Sequence, residues 1–134
     1  MTGTGVGEAP YHAHIYFSAD ERAAAAKLQA RLRAAKPDDP LSGIRFIGDL
    51  RDHKVGPHIV AQFEIHFEER LLPFVEPELV RSGLRVLIHP LTLDDLGDHT
   101  HLGRWIGTPV ELDLSVLDPP GVNQGFARYG KRDF

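Results

Sequence analysis

Two short segments of this chain alternate apolar and polar residues with a period of two, and in both the polar set contains histidine. They are Tyr11-His12-Ala13-His14-Ile15-Tyr16-Phe17 and Ala61-Gln62-Phe63-Glu64-Ile65-His66-Phe67. A period of two sends successive side chains to opposite faces of a sheet. The pattern predicts strands with one buried face and one polar face. Ala13, Ile15, Phe17, Phe63, Ile65 and Phe67 belong to the first face. His12, His14, Tyr16, Gln62, Glu64 and His66 belong to the second. A third run, Arg85-Val86-Leu87-Ile88-His89-Pro90, is apolar throughout its middle and ends on another histidine.

Between these runs lie helix signals. Ser18-Ala19-Asp20-Glu21 has the form of a capping box, and Ala25, Leu28, Leu32 and Ala35 follow at helical spacing until Pro37 and Pro40. Ile44 to Asp49 reads as a strand and Asp52 to His58 as a turn, with the next strand running from Ile59 to Phe67. Leu72, Val75 and Leu79 mark a second helix across Glu69–Ser82, stopped by Gly83. Pro73 and Pro77 call for a kink or a late start in it. Arg85 to His89 is the fourth strand. Thr92-Leu93-Asp94-Asp95 suggests a second capping box before a short helix. Val110 to Val116 is read as a fifth strand, with Leu112, Leu114 and Val116 inward. The order β-α-β-β-α-β predicts an α+β, ferredoxin-like antiparallel sheet with helices on one face and strand order 4-1-3-2. One domain is expected over residues 10–118, with residues 1–9 and 119–134 as loosely held tails.

That topology has a consequence for the histidines. The first strand runs opposite to both neighbours, so its beginning lies beside their ends. His12, His14, His66 and His89 are then expected at one end of the sheet, all on the face away from the helices. The first choice of metal ligands is His14, His66 and His89, one per adjacent strand. Glu64 is expected to replace one of them or to support His66 from two residues away. His12 is the candidate for proton transfer, because imidazole titrates near neutral pH. His53 and His58 belong to a turn at the far end, where a solvated loop is the plain reading. His99 and His101 are expected at the surface or in local hydrogen bonds, and Trp105 in packing. The polar face needs solvent, a partner subunit or the C-terminal segment to cover it; a homodimer is expected.

Composition narrows the classes. The chain has 134 residues, no cysteine, and a formal net charge of −4. Without cysteine, any metal must be held by nitrogen and oxygen donors, which suits Fe(II), Zn(II) or Mn(II). No basic stripe is present, so nucleic acid is not an expected partner. No apolar run approaches the roughly 20 residues of a membrane span. The first residues lack both a basic start and an apolar stretch, so no secretory signal is expected and a cytoplasmic protein is.

Several of these pieces together resemble the DOPA 4,5-dioxygenases and their bacterial homologues. They are Tyr11–Phe17, Gly56-Pro57-His58, Gln62–Phe67, Val86-Leu87-Ile88-His89-Pro90-Leu91-Thr92, Asp98-His99-Thr100, Trp105-Ile106-Gly107 and Leu112-Asp113-Leu114-Ser115. The resemblance spans roughly residues 11–117, and the order and spacing of the pieces carry it. It implies a ferredoxin-like fold, non-heme Fe(II), and extradiol cleavage of DOPA or another small catechol with O2. It also implies that zinc or another divalent metal can replace iron after purification. On this ground alone His58 joins His12, Glu64 and Tyr16 among the catalytic candidates. Ile59 stands where the family usually has proline, and Tyr11 where tryptophan is common, which bears on the substrate more than on the chemistry. Two other readings stay open: a zinc-dependent hydrolase or isomerase, and a non-catalytic metal- or ligand-binding dimeric module.

Overall fold

A computed structural model describes residues 7–131. Strand β1 (Pro10–Tyr16) occupies the middle of an antiparallel sheet. On one side it pairs with β3 (Gln62–Glu68), which pairs in turn with the two-residue β2 (Phe46–Ile47). On the other it pairs with β4 (Arg85–Pro90), followed by β5 (Arg104–Ile106). The order β2-β3-β1-β4-β5 contains the expected 4-1-3-2 arrangement and makes the fold α+β and ferredoxin-like.

Helix α1 (Arg22–Arg33) and helix α2 (Leu72–Arg81) supply the other layer. The run Arg22-Ala23-Ala24-Ala25-Ala26-Lys27-Leu28 is rich in strong helix formers. At its entry the Ser18 N–H donates to the Glu21 carboxylate at 3.0 Å, one half of the expected capping box. Ala25, Leu28 and Leu32 form the buried stripe. In α2, Pro73 sits in the first turn, where no intrahelical N–H bond is required. Val75 and Leu79 are its buried side chains, and Gly83 ends it at φ 73°, a left-handed conformation that glycine adopts without strain. Together these helices bury Ala13, Ile15, Phe63, Ile65, Val86 and Ile88 on one face of the sheet. Fully burying an aliphatic or aromatic side chain of this size contributes about 1.5–3 kcal/mol, so this face holds the fold together.

Four expectations need correction. Val110–Val116 is not a strand: Leu112 makes a single bridge to His58, and Asp113 then caps a 3-10 turn over Leu114–Val116. Leu114 and Val116 are 41% and 51% exposed, so the apparent alternation is not a buried face. The fifth strand is instead β5, three residues too short to show periodicity. The cap of helix α3 (Asp95–Asp98) is Asp94, which accepts from the Gly97 N–H at 2.9 Å, rather than Thr92. Strand β3 begins at Gln62, not Ile59. Finally, residues 119–131 do not trail away; they pack across the second face of the sheet and include helix α4 (Gly125–Arg128). Gly7 and Ala9 are also held, by backbone bonds from Arg70 and Glu69. Residues 1–6 and 132–134, the rest of the expected tails, lie outside the described residues. No helix among those described is long and apolar enough to cross a membrane.

Candidate metal centre and active site

Register alone brings the first imidazoles together. His12 stands opposite His66 on β3 and opposite His89 on β4. Directly opposed residues in antiparallel strands have Cβ atoms about 4.5–5.5 Å apart, so three rings meet across the sheet. The His12 and His66 rings stack at 3.9 Å with planes 5° apart. His14, one step further along the same face, brings its Nε2 to 3.0 Å from the Nε2 of His89.

Hydrogen bonds assign the tautomers. His89 Nδ1–H donates to the Pro90 carbonyl at 2.7 Å, which leaves a lone pair on Nε2. His14 Nδ1–H donates to the Gln62 side-chain oxygen at 3.2 Å, which leaves a lone pair on its Nε2 as well. Two lone pairs therefore face each other at 3.0 Å. Nitrogens each roughly 2.1 Å from one ion, at a right angle, stand about 3.0 Å apart. His12 brings a ring nitrogen within 4.8 Å of the other two, and its buried Nε2 has no hydrogen-bond partner. The three side chains thus fit a divalent cation. The backbone carbonyl on His89 and the amide on His14 are partners that commonly orient metal-binding imidazoles.

The electrostatics agree. Burial holds His12, His14, His58 and His89 well below the ordinary histidine range, and neighbouring imidazoles push them further the same way. All four are neutral at pH 7, the form that binds metals.

His66 is held differently. Its Nδ1 accepts the Gly130 N–H at 2.9 Å, so its proton is on Nε2, 3.3 Å from a Glu64 carboxylate oxygen. The same Glu64 oxygen lies 3.9 Å from Nδ1 of both His12 and His14. One Glu64 oxygen therefore lies within 4 Å of three imidazoles. Among the described residues, three sets place donor atoms mutually within 4.8 Å: His12/His14/His89, His14/His58/His99 and His12/Glu64/His66. The expected trio His14, His66 and His89 is not one of them; His12 stands where His66 was expected.

His58 is not at a distance. The turn after Val55 folds back over the sheet through bridges Val55–His58 and His58–Leu112. Its ring lies 3.9 Å from that of His14, and its Nδ1 is hydrogen bonded to the Tyr16 hydroxyl at 2.8 Å. Burial, and then the Glu64 carboxylate, push the Tyr16 phenol far up, so it stays protonated. His99, expected near the surface, joins the site: its ring is 4.4 Å from His89 while its Nδ1–H donates to the Asp95 carbonyl at 2.8 Å. That local bond was the legible part; nothing in the local sequence says which way the ring faces. His53 and His101 are exposed, as expected for solvated loops.

His12, His14, His58, His89 and His99 line a cavity of about 220 Å³. Leu91, Val116 and Leu117 give it apolar flanks, and Asp118, Gln124 and Arg128 also line it. The chain's own C-terminal segment thus lies over this part of the polar face.

The model of the Dopa 4,5-dioxygenase family matches residues 11–116. DOPA 4,5-dioxygenase from Amanita muscaria is 32% identical over 112 residues, covering 80% of this chain and 49% of that protein. An uncharacterized 21.2 kDa protein of Botryotinia fuckeliana is 38% identical over 77 residues, covering 49% of this chain and 42% of that one. The chain spans about half the length of these curated relatives, or less. A crystal structure from Nostoc punctiforme, described as a dioxygenase candidate, superposes with a TM-score of 0.71 at 30% identity, covering 83% of this chain and 92% of that one.

Proposed function

The chain belongs to the Dopa 4,5-dioxygenase family, and on that premise we propose that it is a non-heme Fe(II) extradiol dioxygenase that opens the ring of DOPA or a related small catechol with O2. The observation that carries this reading is the set of neutral imidazoles from His12, His14 and His89, gathered at a cavity with apolar flanks. In this proposal those three side chains hold the ion. His66 lies beside them, its Nδ1 taken by the Gly130 N–H and its Nε2 3.3 Å from a Glu64 oxygen. His12 passes from proton transfer to metal binding.

The ion, when bound, supplies a Lewis acid that brings catechol and O2 together. The chain's own residues orient and deprotonate. Leu91, Val116 and Leu117 flank the ring and exclude water from it. With Nδ1–H donating to the Tyr16 oxygen, neutral His58 keeps its lone pair on Nε2, the atom that can accept a proton from a catechol hydroxyl and return it later. Tyr16 fixes the His58 ring through the 2.8 Å bond and stays protonated while doing so. Glu64 orients His12, His14 and His66 and offsets positive charge gathered among them.

The test is metal loading under anaerobic conditions, followed by a panel of catechols with O2 uptake and absorbance recorded together. The expected result is stoichiometric O2 consumption and a yellow ring-opened product with at least one catechol. Iron-loaded protein that consumes no O2 with any of them overturns the proposal.

A further inference from the structure

The cavity is lined by two chemically distinct sets of side chains. One is histidine. The other is charged: Asp95, and, from the C-terminal segment, Asp118 and Arg128. Among the described residues lining the cavity, Arg128 is the only lysine or arginine side chain.

Its position is built rather than incidental. Both oxygens of Asp118 are engaged by Gln124, one by the backbone N–H at 2.8 Å and one by the side-chain amide at 2.9 Å. The carbonyl end of the same amide accepts from the Arg128 guanidinium at 3.4 Å, one helical turn later in α4. Gln124 thereby holds Arg128 on the cavity wall. The segment is fastened to the rest of the protein by Asn123, which donates to the Thr92 carbonyl at 2.6 Å and to Asp98 at 3.3 Å. A guanidinium presents five N–H donors in a planar fork that matches a carboxylate. A catechol seated on the histidines would share its cavity with this guanidinium.

We propose that Arg128 is the specificity-determining residue for the ring substituent, selecting catechols whose side chain ends in a carboxylate. The proposal rests on the dioxygenase reading of the same cavity. It concerns the end of the substrate that does not react, so binding can be measured apart from turnover.

The experiment compares the native protein with Arg128→Gln and Arg128→Lys on four compounds. Two carry a carboxylate, DOPA and 3-(3,4-dihydroxyphenyl)propionate; two do not, dopamine and 4-methylcatechol. Dissociation constants are measured anaerobically on metal-loaded protein, and kcat/KM in the presence of O2. The expected result is that the preference for carboxylate-bearing over carboxylate-free catechols falls at least tenfold in Arg128→Gln, in Kd and in KM, with Arg128→Lys between the two. An equal loss on all four compounds, an unchanged preference, or a native protein that binds none of them overturns the assignment. Binding with the predicted preference but without O2 uptake overturns the dioxygenase reading and leaves Arg128's role standing.

Discussion

The Nε2 atoms of His14 and His89 face each other at 3.0 Å across β1 and β4, and neither carries a proton to share, because each ring donates from its other nitrogen. Two buried lone pairs at that distance repel. A cation between them turns the repulsion into coordination. Metal loading should therefore stabilise the fold.

At a free metal concentration of about 100 Kd, ligand linkage contributes roughly 2.7 kcal/mol, or an increase in Tm of about 10 °C for a chain of this size. Differential scanning calorimetry with and without Fe(II) or Co(II) checks this. His14→Ala or His89→Ala should abolish the increase, and Gln62→Leu, which frees the His14 tautomer, should weaken metal binding by roughly 10–100-fold. An unchanged Tm on loading would count against the site.

Acid should destabilise the metal-free protein. His12, His14, His58 and His89 are all held below the ordinary value of 6.5 by burial. Below that value the unfolded chain binds protons that the folded chain refuses. Stability is then full above about pH 6.5 and falls as pH drops, by up to about 1.4 kcal/mol per pH unit for each such group. Urea denaturation of chelator-treated protein at pH 7.5, 6.5 and 5.5 measures the slope. A flat profile over this range is the contrary outcome.

His58→Gln separates proton transfer from coordination. If His58 moves protons, kcat falls by roughly a hundredfold or more while elemental analysis finds the metal retained. If the metal is lost as well, the ion belongs to the His14/His58/His99 set instead. Tyr16→Phe should lower kcat less, and should cost about 1 kcal/mol of stability through its lost hydrogen bond.

Asp98 is a further point of vulnerability. It is fully buried and accepts from the Thr92 N–H, the Thr92 hydroxyl and the Asn123 amide. Asp98→Ala would leave those donors unsatisfied, at a cost of about 3 kcal/mol, and loosen the C-terminal segment. Urea midpoints and the KM for DOPA should change together; a variant with native stability would contradict this role.

How much of this was legible follows from the range of each interaction. Alternation in Tyr11–Phe17 and Gln62–Phe67 is local, and it placed β1, β3 and the histidine face correctly. Antiparallel topology then put His12, His66 and His89 side by side. The choice among donors was not legible, because it turns on Gly130 reaching His66 across 64 residues of sequence. His58 depended on a bridge to Leu112 that no periodicity announces. The segment after Pro119 is attached by Asn123, Gln124 and Asp118, through side-chain and backbone hydrogen bonds that leave no hydrophobic pattern.

The histidines and the guanidinium of the cavity therefore answer to different parts of the chain. Strands β1 and β4 carry the proposed metal-binding imidazoles and are also beams of the hydrophobic core, so most changes there threaten folding. Helix α4 has no strand in the sheet and no buried residue of its own. Exchanging that short C-terminal stretch is a route to retuning which aromatic compounds are admitted, with the chemistry beneath left in place.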